Sequence, residues 1–437
     1  MSEKRNKIGR RNFLKTVGAA GLAGVGLTVR RFDGETVRRF EGETVSRPTV
    51  QPSDRPIVQP SDRPEPPQVP KRKLGKTGVE VSCLALGTIF DVMENQTVLR
   101  NAVKWGVTYW DTAPDYAGPN SELGIGKFIA ANPKVRKQLF ISTKASDAVT
   151  IKDVEKALAE SLKRLNTDYV DLYHIMDRVV GEGYAGHGLS DPSQLTDELK
   201  EWVKSAKKRK LIRFFGFPTH QNIPECLAAA AKLDWIDVVM FIYNFRLMQD
   251  AKMTAAIDAC HKAGIGLVAM KTQARRIISD EDKKLTDHFM QRGFTEGQAK
   301  IKVVLQDERF SVACVGMENV AVLTENVAAA MDKTKLTQAD IDVFQEYAAS
   351  TRSSYCAGCA HICGMAAPQV PCVADIMRHL MYYNGYGDKA RAKELFAQIP
   401  GGMKDKLLKT DYRLAEARCP QHLPIRKLVF EAVGKLA

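Results

Sequence analysis

QLFISTKASDAVTIKDVEKALAESLKRLNTDYVDLYHI, residues 138–175, reads as strand, helix and strand in turn. Residues 138–145 and 168–175 are short apolar runs, the first closing on Thr143 and Lys144, and a helical period from Val154 to Arg164 lies between them. The alternation extends both ways, with strand-like runs at 81–88, 106–113, 212–219, 237–244, 264–271 and 310–317, and a further helix at Leu195 to Lys208. Eight βα units close most naturally into a (β/α)8 TIM barrel. An open doubly wound sheet is the alternative, but no G-x-G-x-x-G follows the first run.

The 437 residues are enough for a large barrel with appendages, and 44% hydrophobic with 26% charged residues is ordinary globular composition. The formal charge of +13 is concentrated at one end: residues 1–73 hold 16 Lys and Arg against 8 acids. No basic helix with interleaved aromatics follows, so the reading is a solvated surface and no nucleic acid partner.

Upstream of the barrel, Arg10 and Arg11 precede Asn12, Phe13, Leu14 and Lys15, and an uncharged run follows from Thr16 to Val29. This is the pattern of a twin-arginine (Tat) export signal over residues 1–29. A membrane span needs roughly 20 apolar residues, so the run is short for one, although retention as an anchor stays open. The expectation is export in folded form through the Tat translocation machinery, to a periplasmic or membrane-anchored extracytoplasmic location. Residues 30–70 then repeat RRFDGETV as RRFEGETV and RPTVQPSD as RPIVQPSD. Such Pro-rich, charged text reads as an extended linker.

Active groups in barrels of this kind stand at the C-terminal ends of strands. The second run ends in Asp111, with Tyr116 five residues on, and the third ends in Lys144. A lysine beside a tyrosine can lower the phenol's pKa, and a carboxylate can hold the lysine in place. Residues 71–335 resemble the aldo/keto reductase family through KLGKTGVEVSCLALGT, GVTYWDTAPDYAGPNSELGIGKFI, ISTKA, DYVDLYHIMD, IRFFGFPTH and VGMENVAVLTENVAA. The resemblance implies a catalytic set of Asp111, Tyr116 and Lys144, with Tyr116 giving a proton to a small-molecule carbonyl substrate that receives a hydride. The family's catalytic histidine falls at Met176, and His174 lies two residues earlier, reading as a buried imidazole hydrogen-bonded to its neighbours. On the nicotinamide side the family's Ser-Asn falls at Pro218-Thr219, its Gln at Met240 and its stacking Tyr at Met270. Glu325 and Asn326 match the adenine-contacting pair, while the cations that grip a 2′-phosphate fall at Met317 and Val322. If a nicotinamide cofactor binds, the resemblance therefore favours NAD(H) over NADP(H).

Of nine cysteines, Cys83, Cys226, Cys260 and Cys314 are scattered through apolar or helical pattern, and five lie beyond residue 355. Cys356, Cys359 and Cys363 have C-x2-C-x3-C spacing. In two-cluster ferredoxins the cysteine before a proline in one run serves the cluster anchored by the other. Here that position after the first run is Ala367 before Pro368, and the second run keeps only Cys419 before Pro420. The survivors make a complete set for one [4Fe-4S] cluster, with zinc, assisted by His361 or His422, as the alternative and Cys372 as a spare. The segment resembles the iron-sulfur tail of some aldo/keto reductases, sharing DIMRHLMYYNGYGDKARAKELF. Residues 336–437 are thus expected to form a small, mainly α-helical ferredoxin-like domain. The whole reads as an exported oxidoreductase with a redox partner for its cluster; the alternative is a barrel that has lost nicotinamide chemistry and serves as a binding or electron-relay subunit.

Overall fold

The computed structural model of the chain describes residues 68–146, 148, 150–176, 189–274, 280–385 and 387–437. The expected export signal, and the linker up to residue 67, lie outside the described residues.

In chain order the elements are β1 (Lys71–Lys73), β2 (Glu80–Ser82), β3 (Leu84–Gly87), α1 (Gln96–Lys104), β4 (Tyr109–Asp111), α2 (Asn120–Ala131), β5 (Phe140–Ala145), α3 (Ile151–Leu165) and β6 (Val170–Ile175). They continue with α4 (Asp197–Lys208), β7 (Ile212–Thr219), α5 (Ile223–Ala230), β8 (Val238–Ile242), α6 (Ala251–Lys262), β9 (Gly266–Met270), α7 (Asp280–Gln291), α8 (Glu296–Gln306), β10 (Val312–Gly316), α9 (Val320–Met331) and α10 (Gln338–Ser350). A helical C-terminal region follows: α11 (Ala360–Ala366), α12 (Val373–Gly385), α13 (Lys389–Ala397), α14 (Gly401–Leu407), α15 (Arg413–Arg418) and α16 (Ile425–Leu436).

Strands β3 to β10 form one closed parallel barrel, each pairing with the next and β10 returning to β3. All eight expected runs are present, the run at 212–219 in full and the others shortened at their ends. The exception to a simple trimming is the run at 81–88, which splits: Val81 and Ser82 pair antiparallel with β1, and only Leu84–Gly87 enters the barrel.

Alternation along β5 shows how the barrel positions chemistry. Ser142 and Lys144 both bond Asp111 on β4, whereas Thr143 donates to Glu122 on α2 at 2.6 Å. Successive side chains thus serve the barrel interior and the helix layer. The following helix α3 opens on a capping box between Thr150 and Asp153, buries Val154, Leu158 and Leu165, and ends on Asn166 in the left-handed region at φ 50°. Beneath it Asp171 takes Arg136 at 3.0 Å and Arg213 at 2.6 Å. Leaving a buried charge of such a pair without its partner costs about 3–5 kcal/mol.

Phe344 and Tyr347 on α10 belong to the same apolar core as the barrel, while Val370, Ile376, Phe396, Tyr412 and Val429 form a second core. The second core is seated on loops at the C-terminal ends of the strands. Asn222 N–H donates to the Gly358 carbonyl at 2.9 Å, Asn244 Nδ2 donates to Tyr355 Oη at 3.1 Å, and Gln221 bonds Asp375. Gly358 has φ 81°, and a Cβ there would lie 2.3 Å from the His220 carbonyl oxygen, so only glycine allows this approach.

Candidate active site and thiol cavity

The ends of β4 and β5 carry the expected carboxylate and lysine side by side. Lys144 Nζ donates to Asp111 Oδ2 at 2.8 Å and to the Thr112 carbonyl at 2.7 Å, and Ser142 donates to Asp111 Oδ1 at 2.7 Å. The ammonium stands 4.6 Å from the centre of the Tyr116 ring. Three of the expected residues are therefore in one cluster. The electrostatics of Tyr116 run opposite to the sequence expectation, because burial, then Asp111 and Asp115, push its phenol well above the usual tyrosine range. Tyr116 is held protonated, as a proton donor.

This cluster opens onto a cavity of about 480 Å³ at the barrel mouth, walled also by Met176, Met270 and Cys314. Met176, at the position where the resemblance places a histidine, brings a thioether, which cannot donate a hydrogen bond. His174 lies deeper, fully buried and in register with Lys144, and neither ring nitrogen has a hydrogen-bond partner among the described residues. The sequence expectation of a satisfied imidazole differs here; burial, then Lys144, push its pKa well below the usual range, so the ring is neutral. Met176→His is expected to raise the rate of reduction of simple aldehydes by one to two orders of magnitude, since one donor to a developing oxyanion is worth about 10²–10³ in rate. Steady-state kinetics of the variant check this; a variant no faster than the wild type would mean that an imidazole at position 176 does not reach the carbonyl oxygen.

The mouth has a wall that the sequence reading missed. Tyr382, Asp388 and Arg391, all from the C-terminal region, line the same cavity. Arg391 pairs with Asp115, the neighbour of Tyr116, and Asp115 also accepts from Ser146 at 3.2 Å. Lys271, immediately after β9, donates to Tyr382 Oη at 3.3 Å. Nothing in the sequence pattern marks these contacts, which bridge segments 111 or more residues apart.

On the cofactor side, Pro218 and Met240 pair across β7 and β8, Met240 is buried, and Pro218 and Met270 face the cavity. Thr219 spends its hydroxyl on the Gln221 carbonyl at 2.9 Å. Helix α9 carries exposed Glu325 and buried Asn326. Asn326 Nδ2 is buried without a hydrogen-bond partner among the described residues, an orphaned donor that an adenine nitrogen could satisfy. Met317 is fully buried, and Glu318 faces the cavity.

In the C-terminal region Cys356, Cys359, Cys363 and Cys419 line one small cavity with Ile362, Met377 and other apolar side chains. Burial, then neighbouring thiols, push Cys359 and Cys363 up to about 12. Cys372 is 2% exposed, outside this cavity and in the second core. His361 and His422 do not line it either; His361 Nδ1 is engaged by Asn222 at 2.8 Å. Among the described residues, no three His, Cys, Asp or Glu converge as a single bound ion requires. Between the thiols and the barrel mouth lies a third cavity of about 350 Å³, sharing Cys356 and Met377 with one and His220 and Lys271 with the other.

The sequence profile of the aldo/keto reductase family matches residues 86–349. L-galactose dehydrogenase of Arabidopsis thaliana is 25% identical over 293 residues, covering 61% of this chain and 89% of that protein. An aldo-keto reductase of Schizosaccharomyces pombe, yakc [NADP(+)], is 27% identical over 256 residues, covering 54% and 68%. Among solved structures, the thermostable aldo-keto reductase Tm1743 superposes with a TM-score of 0.52 at 26% identity, covering 64% of this chain and all of that one.

Proposed function

The chain belongs to the aldo/keto reductase family, and from that premise we propose that it reduces a small carbonyl substrate at Tyr116 and passes electrons through one [4Fe-4S] cluster in its C-terminal region. The observation that carries the first half is the buried Asp111–Lys144 pair, 2.8 Å apart, under the Tyr116 ring. Asp111 fixes the ammonium, the ammonium fixes the ring, and the phenol's proton is available to the carbonyl oxygen as the carbon is reduced. Nothing else among these three residues needs to change charge before the reaction.

A nicotinamide supplies hydride chemistry when bound. Glu325 and Asn326 would hold its adenine end, which the orphaned Asn326 amide supports. Met317 and Val322 offer no cation to a 2′-phosphate, so NADH is expected to bind at least tenfold more tightly than NADPH. Fluorescence titration with both gives the ratio, and tighter NADPH binding would overturn this part of the reading. Aldehyde reduction assayed with either cofactor tests the function itself.

For the cluster, Cys356, Cys359, Cys363 and Cys419 are the ligands of choice, since all four line one apolar cavity. Four thiols lining one apolar cavity, three of them in C-x2-C-x3-C spacing and the fourth before Pro420, support an iron-sulfur group ahead of zinc. Such a group supplies one-electron transfer. The cavity of about 350 Å³ shares lining residues with both the thiol cavity and the barrel mouth, so the two sites are neighbours.

A second reading has an observation in its favour: Pro218, Met240 and Met270 leave the nicotinamide side apolar, as in a barrel kept for binding or electron relay. The same titration separates the two, because a relay subunit would bind neither dinucleotide.

Export in folded form rests on Arg10 and Arg11 ahead of an apolar run. Replacing both by lysine is expected to leave the protein in the cytoplasm. Fractionation of cells expressing each form checks this, and unchanged extracytoplasmic recovery would remove the twin-arginine reading.

A further inference from the structure

With Met176 at the mouth, the barrel strand that should offer a second donor to the carbonyl oxygen offers none. A second lysine–tyrosine pair stands in the same cavity. Lys271 Nζ donates to Tyr382 Oη at 3.3 Å and lies 4.7 Å from the ring centre, much as Lys144 lies 4.6 Å from that of Tyr116. Tyr382 is 5% exposed. It comes from α12, beyond residue 349 where the family match ends. Tyr116 and Tyr382 line the same cavity. Lys271 also sits at φ 54°, in the left-handed region that non-glycine residues rarely occupy and that clusters at functional sites.

We propose that Tyr382, backed by Lys271, is the second hydrogen-bond donor to the substrate carbonyl oxygen, a catalytic role that the C-terminal region contributes to the barrel's active site. This rests on the carbonyl-reduction reading above. An ammonium that donates to Oη polarises the phenol and strengthens its O–H as a donor. Tyr382 gives a hydrogen bond and keeps its proton; the proton that ends on the alcohol oxygen leaves Tyr116. The oxygen, negative as hydride reaches the carbon, is then held by two neutral phenols. The arrangement also gives the fusion of barrel and C-terminal region a chemical purpose, because neither alone contains both donors.

The test uses the full cluster-loaded protein, NADH and 4-nitrobenzaldehyde as probe. Tyr382→Phe is expected to lower kcat by about 10²–10³ with KM little changed. The carbonyl stretch of bound probe, read by Raman difference spectroscopy, should be shifted to lower frequency in the wild type and return part of the way in Tyr382→Phe and in Lys271→Met. Adding Met176→His to Tyr382→Phe should restore part of the rate, which a merely structural defect would not allow. An unchanged rate and stretch in Tyr382→Phe, alongside an inactive Tyr116→Phe, would overturn the proposal and leave the reductase reading standing. No aldehyde reduction by the wild type would overturn both.

Discussion

Tyr116→Phe is expected to lower carbonyl reduction by about 10³-fold, within the 10²–10⁴ range of a positioned proton donor. The ring remains in place, because it packs against Lys144 and its loop is set by backbone bonds such as Tyr116 N–H to the Ala113 carbonyl at 3.2 Å. The loss therefore falls on kcat, with substrate and cofactor binding nearly unchanged. The pH profile carries a second signature. The phenol's pKa is raised above its usual 10.0 by burial and two carboxylates, so the donor form is fully present below pH 10 and is lost only above it. Steady-state kinetics of the wild type should then show no alkaline decline from this group between pH 7 and about 10. A decline centred near neutrality would place the proton on another residue. Full activity in the phenylalanine variant would do the same.

Cys419→Ser is expected to abolish binding of the proposed cluster, and Cys372→Ser to leave it intact. Reconstituted anaerobically, the wild type is expected to hold about four iron and four sulfide per chain and to absorb in the visible. Cys419 reaches the shared cavity from the loop after α15, whereas Cys356, Cys359 and Cys363 approach from the turn into α11 and from α11 itself. Losing the distant ligand opens one corner that no nearby thiol fills, since Cys372 is packed into the second core. Iron in the Cys419 variant should fall below about one per chain after desalting. Iron retained by Cys419→Ser and lost from Cys372→Ser would exchange their assignments. Stoichiometric zinc with no visible absorption would remove the iron-sulfur proposal altogether.

The barrel was legible because each of its strands is a short apolar run between helical periods, a pattern with few solutions. Its edges were less so. The run at 81–88 hides a change of partner at Cys83, where the chain leaves the hairpin with β1 for the barrel, and hydrophobicity continues across that step. Asp111 and Lys144 were readable as polar residues closing apolar strands. The direction of the Tyr116 shift was not, because it depends on Asp115 and on burial that only the folded loop creates. Tyr382 and Arg391 fall inside the DIMRHLMYYNGYGDKARAKELF stretch, yet its pattern gives them no place at the mouth: one lies among the apolar residues of a helix, the other in a charged stretch, and both reach the mouth through tertiary packing. His174 looked like an imidazole with partners, yet the barrel layer around it supplies none among the described residues.

The most direct test of the account is transfer of label. Cluster-loaded protein is incubated anaerobically with 4-nitrobenzaldehyde and NADH carrying deuterium at the transferable C4 position, and the alcohol is analysed by mass spectrometry. One deuterium is expected on the carbinol carbon of the product, formed by the wild type and nearly absent with Tyr116→Phe. Alcohol without deuterium, or no alcohol while the dinucleotide stays bound, would contradict it.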